Sequence, residues 1–151
     1  MRRVVVVPPS LPDDLERVVG KLRHAASTRL RAPLAGPYPS RSQAARTLAQ
    51  VLATATQGIE DADQPAMPVW RSIPRLDDLA VGDQVRVLAH DLLVALAVSP
   101  ELVWVPATLA VPVGHVPAIG VSAIGVPAVR VTTAELVRII SALIADVDSL
   151  L

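Results

Sequence analysis

Between Glu101 and Arg130 run 28 residues without a formal charge, LVWVPATLAVPVGHVPAIGVSAIGVPAV, and no other feature limits the possible folds as strongly. The count alone would let a helix cross a hydrocarbon core, which takes about 20 apolar residues. Four prolines, at positions 106, 112, 117 and 127, oppose that reading. The twelve Val, Leu and Ile side chains offer about 4–7 kcal/mol toward insertion. Prolines inside a helix cost about 3 kcal/mol apiece and cancel it. A membrane span is therefore disfavoured. A run of β-branched residues bounded by prolines reads instead as two or three short buried strands, with Val4–Val7 as a pairing partner.

The run is also periodic. Val111, Val116, Val121, Val126 and Val131 recur every five residues, as VPVGH, VPAIG, VSAIG and VPAVR. The spacing resembles elastin-like repeats, but Ala or Val follows the proline where a type II turn wants glycine, so the turn chemistry is missing.

The flanks of this segment read as helices. Pro12, Asp13 and Asp14 after Ser10 form a helix-start pattern, with Ser10 as the N-cap. Leu15, Val18, Val19, Leu22, Ala25, Ala26 and Leu30 then keep helical spacing as far as Ala32. Pro33, Gly36, Pro37 and Pro39 impose an extended connection. Ser40 and Gln43 match a capping box for a second helix, with Ala44, Ala45, Leu48, Val51, Leu52, Ala55 and Ile59 as its apolar side and Gly58 with EDAD as its end. The Pro-rich linker from Gln64 to Pro74 carries Trp70, which is expected to drop into the helical core.

A third helix is predicted from Asp83 to Val98. Val85, Leu88, Ala89, Leu92 and Leu96 form one stripe, and Val87, Leu93, Val94 and Val98 make it apolar on nearly every side, which marks it as the central helix. Thr132 to Glu135 form a capping box for the last helix, in which Leu136, Ile140, Leu143, Val147 and Leu150 step by 4, 3, 4 and 3. Such a stripe must be covered, by the chain's own helices or by an identical chain.

Together these elements predict a mainly α fold: a small bundle of three to four helices, with a proline-punctuated apolar extended segment before the C-terminal helix. The 151 residues suit one domain, comprising a helical region over 11–98, the apolar strap over 99–131 and an amphipathic helix over 132–151. Only four apolar residues follow Arg2 and Arg3 before Pro8, too few for a secretory signal, so the cytoplasm is the default compartment. Arg outnumbers Lys 13 to 1, a ratio pointing to GC-rich coding DNA and a bacterial source.

Few chemistries find support. With no cysteine there is no thiolate nucleophile and no Cys-ligated metal. Phosphate-loop, dinucleotide and HExxH motifs are missing, so no cofactor is expected. His24, His90 and His115 have no i, i+4 partners, and no metal site is expected. His90 and Asp91 point about 100° apart on a helix, so His90 reads as a polar interruption bonding to the Pro-rich linkers. Ser122 in GVSAIG misses the GxSxG spacing by one residue. An enzyme is disfavoured.

The net charge is zero, yet residues 1–50 carry nine bases and three acids while residues 51–151 carry five bases and eleven acids. Two such halves attract one another. By elimination, the function read from the sequence is protein–protein association including self-association, with Leu136, Ile140, Leu143 and Val147 as the adhesive residues. The alternative is a small nucleic-acid-binding regulator using Arg17, Lys21, Arg23 and Arg31, the basic face of the first helix. Its long proline-rich connection to the next helix disfavours a helix-turn-helix.

Overall fold

A computed structural model describes residues 7–109 and 126–151. Among them the chain forms five α-helices and a two-stranded antiparallel sheet, so the mainly α expectation with short strands before the last helix holds. The helices are α1 (Ser10–His24), α2 (Ser27–Arg31), α3 (Arg41–Glu60), α4 (Val81–Ala97) and α5 (Thr133–Leu150). The strands are β1 (Leu102–Pro106) and β2 (Ala128–Thr132). The repeat at positions 111, 116 and 121, His115, Ser122 and the first three valines of residues 4–7 lie outside the described residues.

The first predicted helix divides in two. Ala25 and Ala26 are extended, with ψ of 136° and 146°, and the chain re-enters a helix at Ser27. After Leu22 the next large apolar side chain is Leu30, and the two alanines bury too little area to hold a continuous turn between them. The break swings Leu30 into full burial, with α2 packed on α3. Ser10 does not cap α1 either. Pro9 takes the cap position, and the Leu11 N–H donates to the Pro8 carbonyl at 3.0 Å.

The centre of the bundle is α3, not α4 as the sequence suggested. It packs against α2, α4, α5 and β1. Ala44, Ala45, Ala49 and Ala55 are all buried on it, and such small side chains let neighbouring backbones approach from several directions. Its start is the predicted one, with Ser40 Oγ accepting from the Gln43 N–H at 3.2 Å. Its end falls in the EDAD run as expected, at Glu60 with Asp61 as the C-cap, but Gly58 lies inside the helix rather than stopping it. Gly58 serves close packing instead: β1 crosses α3 so tightly there that a Cβ would collide with the Trp104 carbonyl.

The Pro-rich linker has an unforeseen fastening. Gln50 and Gln57 lie two turns apart on α3, and each side-chain amide grips the extended backbone opposite it. Gln57 donates to Val69 O at 2.9 Å and accepts from Arg71 N at 3.1 Å. Gln50 donates to Arg71 O and accepts from Ile73 N, both at 3.1 Å. The two glutamines thus supply what a neighbouring strand would, satisfying linker amides that have no backbone partner among the described residues.

β1 and β2 pair in register from Leu102 opposite Thr132 to Pro106 opposite Ala128. Alternation along β1 sends Val103 and Val105 into the helical core and Trp104 to the other side. Trp70 is buried as expected, but beside Trp104 and Ala128 in a small separate cluster rather than in the helical core. Arg130, opposite Trp104 in the register, stacks its guanidinium 4.1 Å from the indole centroid and donates to Ala62 O and Gln64 O. That contact ties the hairpin to the end of α3. Where α4 passes into β1 and β2 into α5, buried Ser99 and Thr133 hydroxyls lie 3.0 Å apart, and Thr133 donates to Pro100 O.

Candidate association surface

The four residues proposed from sequence as adhesive lie in the chain's own core. Leu136, Ile140, Leu143 and Val147 are at most 4% exposed. Thr132 caps α5 by accepting from the Glu135 N–H at 3.1 Å, which sets the rotation that turns this stripe, with Val137 and Ile144, onto α1 and α3. The α5 stripe is covered within one protomer.

The predicted basic face is likewise engaged within the chain. Lys21 Nζ lies 2.7 Å from Asp148 Oδ1, and Arg17 reaches both Asp148 at 3.2 Å and Asp14 at 2.7 Å. Arg23 pairs with Asp83 at 3.1 Å, and Arg31 with Asp78 at 2.7 Å. Arg46 joins Arg31 on Asp78 at 2.6 Å. Hydrogen bonds from Arg46 and then Arg31 hold the Asp78 carboxyl below its ordinary range despite its burial. Lys21 and then Arg17 do the same for Asp148. The two oppositely charged halves of the sequence meet across these contacts, and Arg41 and Arg29 extend them by donating to the Leu150 and Leu151 carbonyls at the end of α5.

His90 is exposed and does not bond to the linker, where Gln50, Gln57 and Gln84 make the contacts instead. Among the described residues no three His, Asp or Glu side chains gather as a metal site would need, and no helix is long and apolar enough to cross a membrane.

Among the described residues, apolar side chains stay exposed on the linker and the turn before α4, at Met67, Val69, Leu76 and Leu79, and in a row on one side of α4. Val81, Val85, Ala89, Leu92 and Leu96 face the core. On the opposite side Val87, Val94 and Val98 are 54%, 57% and 60% exposed. Val87, exposed Asp91 and Val94 step by 4 and 3 along the helix, the spacing of an interhelical seam, and Val98 follows at the C-cap. Leu102 at the start of β1 is exposed as well. The apolar residues outside the main stripe carry this signal in the sequence, but they face solvent rather than a second packing partner.

Comparison with family models, with curated proteins and with solved structures returns no match.

Proposed function

We propose that this protein is a non-enzymatic cytoplasmic module that associates with a second copy of itself through the outer row of α4. One observation carries the reading: Val87 and Val94, two turns apart on α4, are half-exposed on a helix whose other side is already committed to the core. Aliphatic side chains aligned over two turns lose more by staying solvated than scattered ones do, because one partner helix can cover them together. The row is short, so the complex is transient and concentration-dependent, at the small end of the interface range.

Light scattering over a concentration series tests this. The mass is expected to rise from one protomer toward two, and Val94→Glu is expected to hold it at one with unchanged helicity and melting. A wild-type mass fixed at one protomer up to the solubility limit would refute the proposal.

A further inference from the structure

The Pro-rich linker is fastened in two different ways. Arginines hold its ends: Arg130 donates to Ala62 O at 3.0 Å and Gln64 O at 3.2 Å, and Arg46 donates to Leu76 O at 3.0 Å. Between those points the fastenings are glutamines. Gln57 and Gln50 on α3 pair with Val69 O, Arg71 N, Arg71 O and Ile73 N, and Gln84 on α4 donates to Pro74 O at 2.9 Å. Among the described residues, 65–76 make no backbone–backbone hydrogen bond.

Each of these linker partners is a main-chain atom. From Val69 to Leu76 the side chains are exposed, except for buried Trp70 and half-buried Ile73. The helices therefore read an extended backbone and two anchors three positions apart. Backbone bonds for affinity, with pockets for spaced side chains, are how proteins grip extended peptides from other molecules. The arms are set in advance, since Gln50 Nε2 also donates to the buried Thr54 hydroxyl at 3.0 Å and Gln57 is itself buried. Pro68 and Pro74 bracket the anchors and restrict that stretch to extended backbone.

Detaching the middle of the linker leaves the core whole. Trp70 belongs to the separate cluster with Trp104 and Ala128, and of residues 65–75 only half-buried Ile73 packs against the helical core.

From this we infer that residues 65–75 are a removable occupant of a peptide-reading face. They open as one unit while the helices stay folded. The face they leave on α3 takes an extended peptide that carries an aromatic residue, an aliphatic one three positions on and a proline after it. The peptide main chain meets Gln57 and Gln50, and its aromatic side chain fills the place beside Trp104. The closed linker competes for this site, so the wild-type chain binds such a peptide only in proportion to its open fraction.

Two measurements test this, both in a Val94→Glu background that keeps the α4 row out of them. In hydrogen exchange, the Arg71 and Ile73 amides, which donate to the glutamines, should share one protection level and exchange about tenfold or more faster than the slowest amides of α3. Gln57→Ala should speed both and leave α5 unchanged. Exchange of these two amides only at the rate of the slowest α3 amides would overturn the inference, because the linker would then open only with the whole bundle.

Trp70→Ala with Ile73→Ala empties the face from within. This double variant should keep its helical circular dichroism and bind the heptapeptide of residues 68–74, PVWRSIP, about tenfold or more tightly than the chain with an intact linker does. Methylating the peptide nitrogen of its arginine, whose N–H Gln57 accepts, should weaken binding about threefold to tenfold, the loss of one hydrogen bond. Loss of helicity in the double variant, no saturable amide shift with PVWRSIP, or equal binding of the methylated peptide would each contradict the inference.

Discussion

Helices α4 and α5 are built from similar material and use it differently. Both are rich in branched aliphatic residues, Val and Leu in α4 and Val, Leu and Ile in α5, and both carry more apolar residues than a single stripe requires. In α5 the whole stripe is covered by α1 and α3, and cations at its C-terminal end fasten it further. In α4 one side packs against α1 and α3 while Val87, Val94 and Val98 face outward. An apolar helix therefore does not announce its own covering: a helix with two apolar sides fills a core only if elements exist on both of them. The helices among the described residues supply one set of neighbours for α4.

The largest expected effect falls on α5. Leu143→Asp places an unpaired charge in the core, a change that costs on the order of 3–5 kcal/mol. The chain should lose helical circular dichroism. A folded Leu143→Asp variant with wild-type melting would show that α5 is not committed to the core, which would erase the contrast with α4.

A smaller loss is expected where α3 meets the hairpin. Gly58→Val meets backbone rather than a movable side chain at Trp104, so β1 must shift, at a cost of about 1–3 kcal/mol. Lower melting and a red shift of tryptophan emission are expected, since Trp104 and Trp70 share one cluster. Unchanged emission and melting would mean that the hairpin does not seat on α3.

Acid should act more gently. Asp78 and Asp148 titrate below their ordinary values in the folded chain, so the stability they contribute is complete above the unfolded carboxyl value of about 3.9 and is lost as pH falls through the depressed folded values. Melting that is level near neutrality and falls below about pH 4 is the expected profile, with Asp78→Asn flattening it. A profile identical in Asp78→Asn and wild type would remove the Arg31–Asp78–Arg46 contact from the account.

Much of the helical frame was legible in the sequence because local chemistry decides it. The hydroxyl half of each capping box, at Ser40 and Thr132, bonds as its spacing implied, and the apolar positions of α3 and, Leu150 apart, of α5 are those now buried. Features that depend on distant neighbours were not legible. The break at Ala25 follows from where Leu30 finds α3, and the use of Gly58 follows from the path of β1. Gln50 and Gln57 carry no local sign that they hold a linker, since an amide on a helix surface looks the same with or without an extended segment beside it. The outward valines of α4 were visible in the sequence as extra apolar positions, but their direction needed the fold.

Because the chain has no cysteine, a single introduced thiol reports on one position. Labelling Val94→Cys and Leu143→Cys with a thiol reagent across protein concentrations compares the two helices directly. Cys at 94 should react fast when dilute and become protected as concentration rises, while Cys at 143 should be protected equally at every concentration. Protection that grows with concentration at 143 and stays constant at 94 would contradict the account.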